Sequence, residues 1–174
     1  MILGFSTQIN GKPTHFVEKI WKGLKENISD ELRIQQEAKM TPEELTTPYE
    51  VDSEVYPGVK AKLHTIREDK KDRWEKGKNI DFFINCRKKD MKRFAPVLPV
   101  VRTQSIFMTY YHSDIIQISV NGKELFGYNE RLELALNDGF DSWEDFFDYF
   151  YPIIQASDDK SFSGKIIHWT DLKY

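Results

Sequence analysis

The chain has 174 residues, 40% of them apolar and 14% aromatic, enough for one domain of ordinary size with a real core. Its single cysteine, Cys86, excludes an internal disulfide and fits a reducing compartment. The net charge of −3 argues neither for nor against nucleic acid, and no apolar run approaches the length of a membrane span.

The first residues, Met1 to Phe5, lack a basic lead and are too short for a signal peptide. A cytoplasmic protein without membrane association is expected. Residues 2–8 read as a first strand, ended by Asn10-Gly11 and Pro13. A helix is predicted over 14–25, where Val17, Ile20, Trp21 and Leu24 make an apolar stripe. Trp21 is expected in the core. Residues 27–59 look like an insertion, polar and carrying Pro42, Pro48 and Pro57. Within it, Thr41-Pro42-Glu43-Glu44 reads as a helix start, with Thr41 as N-cap and Glu44 three residues on. Pro48 is expected to limit that helix to one or two turns, and the excursion to pack over something, such as a pocket.

A short strand follows over 63–67, then a charged turn anchored by Trp74 and ending at Gly77. Residues 79–87 read as a strand with apolar side chains on both faces, Ile80, Phe82 and Ile84 against Phe83. Residues 87–93 form a basic loop. Further strands are predicted over 97–109, interrupted at Pro99, and over 114–120 and 123–126. The last two flank Asn121-Gly122, the strongest hairpin signal in the chain and a type I′ turn. A helix over 130–136 is ended by Gly139. Asp141-Ser142-Trp143-Glu144 resembles a capping box opening a second helix to Tyr151, stopped by Pro152. Trp143, Phe146, Phe147 and Phe150 form its apolar face. Residues 165–169 read as a final strand. No repeat is visible. Short strands joined by turns outnumber helices, which argues α+β with a small, mostly antiparallel β-barrel or curled sheet, closed by pairing of the terminal strands.

Charge is unevenly spread. From Lys60 to Arg93 there are thirteen Lys and Arg against six Asp and Glu, while the remainder is strongly acidic. Such asymmetry fits a polyanion-binding face and equally a solvated turn with an edge strand. Lys88, Lys89, Lys92 and Arg93 are the candidate phosphate contacts. Just upstream, strand alternation puts Thr65 and Arg67 on one face and His64 and Ile66 on the other. Lys62 converges on Thr65 only if it sits in the turn before the strand. A cation, a hydroxyl and a guanidinium suit a polar pocket for a planar or anionic ligand, and equally a charged edge strand.

Gly58-x-Lys60-x-Lys62-x-x-Thr65-x-Arg67, after a strand and a helix and before Gly77-Lys78-x-Ile80, resembles the ASCH domain family. Farther on, Ala135-Leu136-Asn137-Asp138-Gly139-Phe140, followed by Trp143-Glu144-Asp145-Phe146, is similar to that family's second signature, an acidic-Gly-Phe turn before a helix. The two signatures cover most of the chain except the insertion. The resemblance implies one PUA-like domain over 1–174, a β-barrel flanked by helices. It implies binding of RNA, a nucleotide or a nucleoside.

A small bacterial branch of the family hydrolyses N(4)-acetylcytidine through a Lys, a Thr three residues later and a Glu in the second signature. Here these fall on Lys62, Thr65 and, one methylene shorter, Asp138. In that chemistry Thr65 is the nucleophile. Lys62 is its base if neutral, or the oxyanion stabiliser if charged, and Asp138 shuttles the proton. Arg67 holds the base or sugar, since guanidinium does not deprotonate. A third reading is a protein-interaction domain that uses the acidic aromatic helix from Trp143 to Tyr151.

Other chemistries have little sequence support. His15, His64, His112 and His168 lack metal-ligand spacing. Cys86 lies in a strand, where it acts as a small hydrophobe. The nine glycines form no phosphate loop. No cofactor or metal is expected.

Overall fold

A computed structural model describes residues 1–45, 58–110 and 115–174. Pro48, Pro57, His112 and the start of the predicted 114–120 strand lie outside the described residues. The architecture is α+β, with three sheets among the described residues. β1 (Ile2–Phe5) runs parallel to β5 (Asn79–Ile84), which also pairs with β6 (Lys92–Arg93) and β7 (Leu98–Pro99). β2 (Gln8–Ile9) and β3 (Lys12–Pro13) form a small hairpin. The largest sheet is antiparallel, in the order β10 (Lys123–Glu124), β9 (Gln117–Val120), β8 (Arg102–Thr109), β11 (Ser161–His168), β4 (His64–Arg67).

No sheet among the described residues closes into a barrel by its own strand pairing; the sheets pack on one another. The terminal strands do not pair. β1 finds β5, and β11 lies between β8 and β4. The reason is visible in β11, whose consecutive residues Ile166 and Ile167 are both buried in different cores. A strand covered on both faces belongs inside a layered stack. One core holds Ile66, Ile106, Met108 and Ile118 against the helices α4 (Tyr128–Asn137) and α5 (Trp143–Ala156). The other holds Phe5, Phe82, Phe94 and Trp169 against α1 (Phe16–Asn27). Trp21 lies in this second core, its indole N–H donating to Phe94 O at 2.8 Å.

The predicted insertion contains the end of α1, then α2 (Asp30–Glu37) and α3 (Pro42–Leu45). The Thr41 box forms: Glu44 N donates to Thr41 Oγ1 at 3.3 Å and Thr41 N to Glu44 Oε2 at 2.9 Å. Asn121 (φ 50°) and Gly122 (φ 78°) make the hairpin turn that a type I′ geometry demands. Ser142 caps α5, accepting from Asp145 N at 3.1 Å.

Two elements outrun their sequence signals. α5 continues past Pro152 to Ala156. Proline forfeits one backbone bond, but the buried stripe Trp143, Phe146, Phe150 and Ile154 extends across it. β11 begins at Ser161 instead of Lys165, because its polar first half pairs along β8, with Ser161 opposite Thr109.

Candidate functional site

The site is built where three segments meet: the run before β4, the C-terminal end of α4, and α1. Gly23 of α1 lets the chain at Lys62 come close; a Cβ there would sit 2.7 Å from Lys62 O. Lys62 N donates to Lys19 O at 2.9 Å, and Leu63 N to Asn137 O at 2.8 Å. Lys62 therefore lies before the strand, tied to both helices.

Its ammonium points at the end of α4. Lys62 Nζ donates to the backbone carbonyl of Asp138 and, at 3.0 Å, to its carboxylate Oδ1. Lys19 does the same one residue on, donating to Gly139 O at 2.8 Å and Asp141 Oδ1 at 2.7 Å. Both lysines are about 1% exposed. Two buried cations thus bond the carbonyls of the cap residue and of the one after it, at the negative end of one helix. Gly139 (φ 91°) makes room for this, since a Cβ there would lie 2.8 Å from Lys62 Cδ and 3.0 Å from the Phe16 ring.

Asp138 Oδ1 also accepts from Ile66 N at 2.9 Å and faces His64 Nδ1 at 3.5 Å. Burial pushes this carboxyl up, but Lys62 and His64 outweigh it and hold it below the usual carboxylate range. Burial drives Lys62 the other way, down to about 8, against the pull of Asp138 and with help from Arg67 and Lys19. His64 is also lowered by burial, despite Asp138.

Arg67 is on the opposite face of β4 from Ile66. Its Nη2 donates to Gly4 O at 2.7 Å, and its guanidinium lies 5.5 Å from the Phe5 ring centre. Lys62 Nζ is 5.9 Å from the same ring and 4.7 Å from that of Phe16. Thr65 shares Arg67's face by alternation and is buried, and its hydroxyl makes no hydrogen bond among the described residues. Lys62, Asp138 and Arg67 are thus gathered around Phe5 and Phe16, with Thr65 between Lys62 and Arg67 in the chain.

Two cavities flank this cluster. One, of about 220 Å³, is lined by Asn10, Phe16, Lys19, Gly139, Phe140 and Asp141, among others. The other, of about 410 Å³, is lined by Gly4, Phe5, Ser6, Thr7, Cys86 and Lys88, among others. They share walls with the cluster through Phe16, Gly139 and Phe5, but neither is lined by Lys62, Thr65, Arg67 or Asp138.

No family model, curated protein or solved structure matches this chain.

The basic segment divides. Lys88 and Lys89 are exposed. Arg93 in β6 is held by Glu44 at 3.3 Å and Asp81 at 3.2 Å, and lies over Phe83 at 5.5 Å. Its charge is already matched, and Lys92 beside it is half-buried and also partnered. The α5 aromatics Trp143, Phe146 and Phe150 are core, which removes them as a docking face. No helix among the described residues is long and apolar enough to cross a membrane, and no group of three or more potential metal ligands is present there.

Sequence reasoning missed His64, His168 and Tyr174. His64 and His168 are directly opposed across β4 and β11, their ring centres 5.2 Å apart. Tyr174 Oη bonds His64 Nε2 at 2.8 Å. Only the strand register brings these together, and register between segments a hundred residues apart leaves no local signal.

Proposed function

We propose that this chain is an ASCH-like module that binds a nucleoside, nucleotide or RNA segment, with one base seated in the cavity beside Phe16 and Gly139. The observation that carries the reading is the buried Lys62–Asp138 pair packed behind those two residues, which also wall the cavity. Its volume falls below the about 300–1,000 Å³ of sites that enclose drug-sized ligands. It suits a single base, with sugar and phosphate left outside. Phe16 and Phe140 supply apolar wall, and Asn10, Thr14 and the carboxylates supply hydrogen-bonding edges. The second cavity has Lys88 among its lining residues and gives a phosphate somewhere to go.

A second reading, amide hydrolysis of an acylated nucleoside such as N(4)-acetylcytidine, draws support from Lys62. Burial lowers its pKa to about 8, toward the neutral amine that a base requires. Binding without turnover is the better reading. Thr65 is hydrogen-bonded to neither Lys62 nor Asp138, so no base touches the nucleophile. Asp138 Oδ1 already receives Lys62 and Ile66 N–H.

Calorimetric titration with cytidine, N(4)-acetylcytidine, cytidine monophosphate and a short single-stranded RNA tests the binding reading, and chromatography of the same mixtures tests turnover. Binding without conversion is expected. Conversion of N(4)-acetylcytidine that is abolished in Thr65→Ala replaces the first reading with the second. No heat from any of the four at millimolar concentration contradicts both.

A further inference from the structure

Behind the Lys62–Asp138 pair lies a chain of partly buried polar contacts that runs in one direction. Asn137 Nδ2 lies 2.9 Å from Tyr174 Oη. That nitrogen carries only protons to give, so the tyrosine oxygen accepts. Tyr174 Oη lies 2.8 Å from His64 Nε2. If His64 carried its proton on Nε2, the tyrosine oxygen would accept twice and its own hydrogen would point nowhere. If Nε2 is bare, both contacts of the tyrosine oxygen are used: Asn137 donates to Tyr174, and Tyr174 donates to His64. The proton of His64 then sits on Nδ1, which faces Asp138 Oδ1 at 3.5 Å. That distance is longer than a full hydrogen bond, but it aims an N–H dipole at a buried carboxylate. The opposite tautomer would aim a lone pair there.

We infer that Asn137, Tyr174 and His64 form a directional relay that fixes the Nδ1–H tautomer of His64 and thereby holds Asp138 as the ionised partner of Lys62. None of the three lines the cavity proposed for the base; they are positioning residues. The tail is held for this purpose at a second point, with Tyr174 N donating to Gln104 Oε1 at 3.2 Å and Gln104 Nε2 to Tyr174 O at 3.1 Å. His168 stacks obliquely on His64 and faces Tyr174 with ring centres 6.2 Å apart, but neither of its nitrogens has a hydrogen-bond partner among the described residues. It stands outside the relay. The functional meaning of the relay rests on the binding reading proposed above; its direction does not.

The test is a long-range proton–nitrogen spectrum of the full chain labelled with ¹⁵N-histidine at pH 7, with nucleoside affinity measured on the same samples. In the wild type His64 should carry its proton on Nδ1. Asn137→Asp replaces the donor that starts the relay with an acceptor. Tyr174 should then donate to residue 137, and His64 should move its proton to Nε2 or become doubly protonated. Tyr174→Phe should loosen the tautomer preference and weaken N(4)-acetylcytidine or cytidine about fivefold, the worth of one hydrogen bond. Wild-type His64 protonated on Nε2 overturns the inference, as does a tautomer unchanged in Asn137→Asp while that variant keeps native chemical shifts elsewhere. If the tautomers behave as stated but no sample binds nucleoside, the relay stands and the binding reading fails. If nucleoside binds and the tautomers do not respond, the reverse holds.

Discussion

Lys62 Nζ lies 3.0 Å from Asp138 Oδ1, and both side chains are buried. The same ammonium bonds the Asp138 carbonyl, so one cation neutralises a carboxylate and caps a helix. Removing one partner leaves the other charged and dry. Lys62→Met should cost about 3–5 kcal/mol of unfolding free energy. Lys62→Met with Asp138→Asn should recover part of that, since the stranded charge is gone. Urea unfolding of the three proteins checks this; a single variant within about 0.5 kcal/mol of wild type would show that the pair is not buried as described.

Gly139 sits at φ 91° with Lys62 and Phe16 against its α-carbon. Gly139→Ala combines a left-handed backbone with a clash, and should destabilise by about 1–3 kcal/mol. It should also displace Phe16, which the fluorescence or methyl and aromatic spectra of the surrounding core would register. A neutral substitution would mean that the turn has more room than its geometry implies.

The buried histidines give the protein an acid-sensitive stability. His168 is lowered by burial to about 3, and His64 is lowered too. In the unfolded chain both take up a proton as pH falls through about 6.5, while the folded protein leaves them neutral. The unfolded state binds more protons there, so stability falls as pH falls, by about 1.4 kcal/mol per unit for each histidine. Lys62, lowered to about 8, acts on the alkaline side: its contribution improves as pH rises from there toward 10.5. Asp138, held below its usual value, contributes above that value and loses its contribution as pH drops further. Between pH 7 and 5, wild type should therefore lose about 2 kcal/mol more than His168→Phe. Equal losses in denaturant titrations at the two pH values would count against a neutral buried His168.

The basic segment should act unequally on RNA. Lys88→Glu with Lys89→Glu should flatten the slope of log affinity against log salt by about 0.7 for each phosphate that is no longer neutralised. Arg93→Ala should leave that slope alone and lower stability instead, because Glu44 and Asp81 already hold Arg93. Fluorescence anisotropy across a salt series separates the two. A slope that Arg93 changes and Lys88 and Lys89 do not would reverse this assignment.

Local chemistry was legible where it is decided locally. The Asn121-Gly122 turn, the Thr41 and Ser142 caps and the stripe of α1 all follow from spacing within a few residues. Lys62 and Asp138 stand out separately in two motifs, and the fold puts them in contact. What the sequence hid is set by distant pairing. The parallel match of β1 with β5, the burial of β11 on both faces and the opposition of His64 to His168 depend on register between remote segments. Pro152 misled for a related reason: a propensity rule lost to a buried stripe that continues to Ile154.

Seating of a base in the smaller cavity is read directly by a nitrogen–proton spectrum of the uniformly labelled protein, titrated with N(4)-acetylcytidine and with cytidine. Saturable shifts are expected, concentrated at Asn10, Phe16, Lys19, Gly139 and Asp141, the residues around that cavity. Smaller shifts are expected at Lys62 and Asp138 behind them. No shifts at millimolar nucleoside, or saturable shifts confined to surfaces away from these residues, would contradict a base-binding cavity there.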